Sequence, residues 1–217
     1  MTRYLYKELH LAASPISWWF LAGALMTLLP GYPILVGSFF ICFGVFQSFQ
    51  HARESNDVLY SVLLPVKKRD YVTAKYLYTV FMQMIGWVLC AVLTVLRMTA
   101  LSGLMPYVGN ALMNPSPLYL GFVLLIFTAF NVLFLGGFFR TAYKFGLPFL
   151  RFGIAALLLI SIAEVLHHLP GLGFLNTTTG ERLGLQLAIL GVCALIYALC
   201  TLLSLRASQK RFENLDL

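Results

Sequence analysis

"HARESNDVLYSVLLPVKKRDYVTAK", residues 51–75, is the longest stretch of this chain that a hydrocarbon environment would reject. It carries Arg53, Lys67, Lys68, Arg69 and Lys75, with His51 as a titratable neighbour, around a short apolar core, VLYSVLLPV. Outside it the chain is overwhelmingly apolar. Of 217 residues, 60% are hydrophobic and only 11% charged, and mean hydropathy is +0.84. A soluble domain carries roughly a quarter charged residues. This inventory cannot cover a water-facing surface, so the chain reads as an all-α integral membrane protein.

Working outward from 51–75, six apolar runs approach the roughly 20 residues that a helix needs to cross a bilayer. They lie at about 16–30, 32–50, 76–96, 118–139, 149–166 and 184–205. The first two are separated only by "PGYP", residues 30–33, whose prolines and glycine suit a tight turn. One transmembrane domain over 1–217 is expected, with an interfacial segment at 1–14, the polar loop at 51–75 and a tail at 206–217.

Charge sets the expected orientation. Alternate loops collect thirteen cations: Arg3, Lys7, Arg53, Lys67, Lys68, Arg69, Lys75, Arg140, Lys144, Arg151, Arg206, Lys210 and Arg211. Only Arg97 and Arg182 fall on the other side. Cytoplasmic loops carry the Lys/Arg excess, which places both termini and residues 51–75 in the cytoplasm. The net charge of +7 is thus a topology signal. Its cations are scattered in short clusters, with no basic face for nucleic acid.

Within the opening segment, MTRYLYKELHLAAS, a stripe of Arg3, Lys7, His10 and Ser14 opposes Leu5, Leu9 and Ala12. This is the pattern of a helix lying in the headgroup region. In the polar loop, Val58, Leu59, Val62 and Leu63 share one helical arc, and Arg53, Glu54, Asp57 and Ser61 share the opposite one. Ser55, Asn56 or Asp57 could cap such a helix. Pro65 ends it after Leu64. A new helix is expected from Lys67-Lys68-Arg69-Asp70 into the third span. Two or three turns alone in water are unstable, so the short helix is expected to rest on the membrane and offer its polar face to a protein.

The elbow-like start, the six spans and the loop R-E-x-N-D-x-x-x-x-x-L-L-P-V-x-K-x-x-x-V-x-A-K resemble the membrane subunit of a type-2 ATP-binding-cassette (ABC) transporter. Here the loop pattern is Arg53-Glu54, Asn56-Asp57, Leu63-Leu64-Pro65-Val66, Lys68, Val72 and Ala74-Lys75. The resemblance implies a coupling helix seated in a cleft of a separate cytoplasmic ATPase. It makes Arg53, Glu54, Asn56, Asp57, Ser61, Leu63, Leu64 and Pro65 coupling residues, and has Lys67, Lys68 and Arg69 brace the loop at the headgroups. It also implies a second identical or related permease chain, surrounding lipid, a bacterial cell membrane, and ATP with Mg on the partner. The short outer segments depart from the longer family members, which carry an extracellular domain or long outer loops, and argue against a large external docking partner or lid.

No G-x-x-x-x-G-K-[ST] loop occurs, so ATP hydrolysis is expected on another subunit and no cofactor in this chain. Cys42, Cys90, Cys193 and Cys200 lie in apolar runs without metal-ligand spacing. The adjacent His167 and His168 point about 100° apart on a helix and do not share a ligand face. Among polar groups within the spans, Arg97 and Glu164 either pair or snorkel separately to the outer interface. Asn131, with Gln83 and Gln186, either lines a polar path or bonds between helices. Gly136-Gly137 and Gly121 suggest close helix packing. Asn176-Thr177-Thr178 matches a glycosylation acceptor, and Trp18, Trp19, Tyr107 and Tyr119 fit interfacial belts. The expected function is export of a peptide-like, hydrophobic or amphipathic substrate. The alternatives are a non-transporting scaffold or immunity-type protein, and an intramembrane enzyme, for which catalytic groups are scarce.

Overall fold

A computed structural model of the chain describes residues 8, 15–57, 67–104, 107, 110–141, 144–177 and 182–215. The expected interfacial helix at 1–14 (Glu8 apart) and the short helix around Ser61, Leu63, Leu64 and Pro65 lie outside the described residues. What is described is helical, and no strand occurs within it. Among the described residues, the longer helical rods are α1 Pro15–Leu28, α2 Val36–Glu54, α3 Lys68–Thr99, α4 Pro117–Phe138, α5 Gly146–Leu166 and α6 Leu183–Glu213. Four of them, α3 to α6, are long and apolar enough to cross a membrane.

The first rod is short in sequence but changes form. After Pro15–Trp19 it continues as a 3₁₀ helix over Phe20–Leu28, which rises about 2.0 Å per residue against 1.5 Å for α. Its 14 residues therefore extend about 25 Å. The "PGYP" turn closes as expected, with Gly31 at φ 70°, in the left-handed region that a side chain disfavours. α1 and α2 then pack backbone to backbone. A Cβ on Gly23 would stand 2.8 Å from the Gly37 carbonyl oxygen, and one on Gly37 would overlap the Gly23 carbonyl. Small residues allow this approach where lipid provides no hydrophobic drive between helices.

α4 is the hub. In its most apolar stretch 78% of residues are buried, against 17% for α5 and for α6. Phenylalanines fill the space between α2, α4 and α5: Phe46 stacks on Phe149 with ring centroids 3.9 Å apart, and Phe134 meets Phe46 and Phe49 edge-on. The outer faces of α5 and α6 are leucine- and isoleucine-rich and exposed. An exposed apolar mantle of this extent requires a bilayer around it.

One boundary differs from the sequence reading and one agrees with it. α6 runs on to Glu213, so most of the expected tail at 206–217 continues the last rod. It is held by packing: Phe212 is fully buried, stacked 5.7 Å from Tyr71 and edge-on to Phe139 at 5.6 Å. α3 starts at Lys68, as the Lys-Lys-Arg-Asp signal indicated.

Candidate functional site

The polar residues cluster at the end of the bundle where α2 stops and α3 begins. α2 terminates by a local device: Ser55 and Asn56 return their backbone N–H groups to the carbonyls of His51 and Arg53, and Asn56 adopts φ 53°. A left-handed residue just past a helix end is usually Gly, and Asn is the common substitute. Asn56 thus ends α2. Its side chain, like those of Arg53 and Glu54, is exposed.

Asp57 behaves differently. It turns inward, its side chain 13% exposed, and places Oδ2 3.0 Å from Lys75 Nζ. The Tyr71 hydroxyl donates to the same oxygen at 3.3 Å. Lys75 is itself buried, 3% exposed, about 10 Å along α3 from its start. Its ammonium also lies 2.7 Å from Glu8 Oε2, a carboxylate with 1% exposure. The rings of Tyr71 and Phe49 flank Nζ at 5.4 and 5.7 Å. One lysine on α3 therefore holds Glu8 and the residue that leaves α2. A buried cation flanked by two carboxylates is fixed in place, because losing either partner leaves an uncompensated charge away from water.

Beside this node the end of α6 clamps the start of α3. Lys68 Nζ donates to the Leu215 carbonyl, Gln209 Nε2 to Thr73 Oγ1 at 2.9 Å, and Arg69 pairs with Glu213 at 3.4 Å. Arg69 and Glu213 are 60% and 44% exposed, so that pair contributes little. Lys67 is exposed in extended backbone ahead of α3. Arg53 stacks over the Phe145 ring at 4.8 Å, which links α2 to the segment before α5.

Deeper in the bundle, Asn131 sits at a π-helical turn over Phe130–Leu135. Its side chain and that of Gln83 exchange amide hydrogen bonds at 3.0 and 3.1 Å, and Thr201 and Tyr197 complete the set at 3.0 and 2.9 Å. The Asn131 carbonyl accepts from the Gly136 N–H, from Ser204 Oγ at 2.8 Å and from the Tyr76 hydroxyl at 3.4 Å. Gln83, Asn131 and Thr201 are all buried. Of the two readings of Asn131, the geometry selects bonding between helices α3, α4 and α6.

Arg97 and Glu164 go to separate partners. Arg97 Nη1 donates to the Thr27 carbonyl at 2.6 Å, with its guanidinium 4.5 Å over the Tyr107 ring. Glu164 Oε2 accepts from the Met113 N–H at 2.9 Å. Among the described residues no ion pair joins the two. Tyr119, expected in an interfacial belt, is fully buried and bonded to Thr27 Oγ1 at 2.9 Å. Asn176 is occupied as well, accepting from the Asn114 N–H at 2.6 Å and donating to the Leu112 carbonyl at 3.3 Å. His167 Nε2 lies 3.2 Å from the Ala111 carbonyl.

A family model described as "ABC-2 family transporter protein" matches residues 4–213, nearly the whole chain. The chain belongs to the ABC-2 transporter family. No curated protein and no solved structure matches it. As an ABC-2 membrane protein it has the role of a permease, and such a permease implies an ABC ATPase partner.

In this ABC-2 chain the sequence reading missed Glu8 and Lys75 as a pair. A signal existed: Glu8 is the only acidic residue before Glu54, set in an otherwise basic and apolar segment. The sequence reading uses Lys75 as an inner-side cation and as the last residue of the loop pattern, with no partner for its charge.

Proposed function

We propose that this ABC-2 chain is half of an export pathway, driven by a separate ATPase that grips the segment following α2. The supporting observation is the Lys75 node. A push on the segment leaving α2 at Asp57 passes through Lys75 into the 32-residue helix α3, and at the same point into the N-terminal segment at Glu8. The exposed Glu54 and Asn56 side chains are the contacts offered to the ATPase; Asp57 is the anchor behind them. Ser61, Leu63, Leu64 and Pro65 belong to the coupling helix itself, with Lys67, Lys68 and Arg69 bracing its return.

All six rods cross the bilayer in this reading, with both termini cytoplasmic. α1 at about 25 Å and α2 at about 28 Å match a hydrocarbon core of about 30 Å when interfacial tryptophans and small distortions absorb the difference. Trp18 and Trp19 are exposed beside Pro15 as such anchors. The cavity that alternates its access forms between two permease chains, identical or related. Apolar span faces favour a hydrophobic or amphipathic cargo, peptides included.

The test is copurification of the ATPase with the full-length permease from native membranes. Glu54→Lys reverses an exposed charge at the contact and should abolish copurification while gel-filtration behaviour stays unchanged. Full retention of the ATPase would refute the contact. Asp57 is unsuitable for this test, since a lysine there would face Lys75 and disturb the fold directly.

A further inference from the structure

A second cationic site lies apart from the Lys75 node, between the inner end of α4 and the first turns of α5. A cavity of about 300 Å³ is lined there by Gly137, Arg140, Thr141, Lys144, Pro148 and Arg151. All three cations are exposed, and among the described residues none has a carboxylate within ion-pair distance. Next in sequence to Lys144, Phe145 carries Arg53 of α2 stacked over its ring at 4.8 Å. The floor is apolar and tightly built: Pro148 is buried, and a Cβ on Gly137 would stand 2.8 Å from Pro148 Cβ. From this mouth an exposed apolar strip runs along α5 through Leu147, Leu150, Ile154, Leu157 and Ile162.

We propose that this cavity binds the phosphate of an anionic glycerophospholipid of the inner leaflet, with the acyl chains lying along α5. The shape is that of an amphiphile. Three uncompensated cations converge at one end, and the lipid-facing side of a membrane helix continues from them. Scattered topology cations need no cavity, and an acidic protein surface would leave the α5 strip without a role. A basic pocket between helices on the cytoplasmic side suits anionic headgroups. The inference rests on the orientation proposed above, which puts Arg140, Lys144 and Arg151 at the inner interface.

The experiment is native mass spectrometry of the isolated full-length chain, without ATPase or cargo, titrated with phosphatidylglycerol and phosphatidylcholine. A failed ATPase contact therefore leaves this readout untouched. Each cation near the surface contributes about fivefold, so the wild type should prefer phosphatidylglycerol by about a hundredfold. Arg140→Gln/Lys144→Gln should cut that preference by about thirtyfold. Arg206→Gln/Lys210→Gln removes the same charge from the exposed inner end of α6 and should change it by less than about threefold. Equal losses in both pairs would reduce the effect to general surface charge and overturn the site. Displacement of the lipid by inorganic phosphate alone would make it a free-phosphate site, and an unchanged lipid preference in Arg140→Gln/Lys144→Gln would show that these cations do not hold the headgroup. Either result overturns the lipid assignment. Should the double variant fail to fold, Lys144→Gln alone, at about a fivefold loss, decides the question.

Discussion

Replacing Lys75 with methionine keeps most of the side-chain volume and removes only the charge that joins Glu8 to Asp57. At separations of 2.7 and 3.0 Å, each contact carries roughly 5–6 kcal/mol of attraction at an effective dielectric of about 20, before desolvation. Most of that is offset by the expense of burying three ions. What a substitution reads out is the penalty for leaving charges behind, about 3–5 kcal/mol when one partner of a buried pair is removed. Two carboxylates would then face each other with exposures of only 1% and 13%. The cheaper outcome is for the Glu8 and Asp57 segments to leave α3 for water. We expect Lys75→Met to raise hydrogen exchange at least about a hundredfold in peptides containing Glu8 and Ala52–Asp57, measured on the full chain in nanodiscs. The neutral triple Glu8→Gln/Asp57→Asn/Lys75→Met removes the stranded charges and should return to within about tenfold of wild type, because whole buried ion clusters are often replaced at little net loss. Unchanged exchange in Lys75→Met would refute the node as a structural joint. A triple variant as open as the single would show that shape, and not charge, holds the segments.

Three further outcomes are expected. Arg97→Gln, which loses a charged donor to the Thr27 carbonyl and the Tyr107 ring, should lower thermal stability in detergent by about 2–3 kcal/mol, against less than about 0.5 kcal/mol for Glu164→Gln. The double variant should be additive within about 0.5 kcal/mol, and a larger coupling would mean that the two charges interact after all. Gly37→Ala forces apart the α1–α2 contact at Gly23 and should destabilise by about 1–3 kcal/mol or more. Gly153→Ala, with open space around it, should be neutral or stabilising by up to about 1 kcal/mol; equal effects at the two glycines would contradict the packing. Asn131→Leu strands the Gln83 amide and should lower the unfolding midpoint by the equivalent of about 1–2 kcal/mol; an unchanged midpoint would show that the amide pair adds nothing.

What could be read from the chain alone was whatever depends on composition and period. Apolar runs of bilayer length, broken by Pro30, Gly31 and Pro33, mark rods and a turn. The Lys67–Asp70 start of α3 is a local end signal. The type-2 ABC resemblance rested on linear spacing in residues 51–75, and the family match agrees with it. None of this requires knowing what lies beside what. The partners of polar side chains do require it. Asp57 has the same place on a helical wheel whether it faces a motor or a lysine 18 positions later. Lys75 looks like any inner-side cation until Glu8 is brought within 2.7 Å of it. The same holds for Asn131 and Gln83, which join only because α3 and α4 cross at that depth, and for Arg97, whose partner turned out to be a backbone carbonyl of α1. A hydrophobic pattern says which residues must avoid water. Which polar groups compensate one another inside is a matter of distance, and distance between segments exists only once the chain is folded.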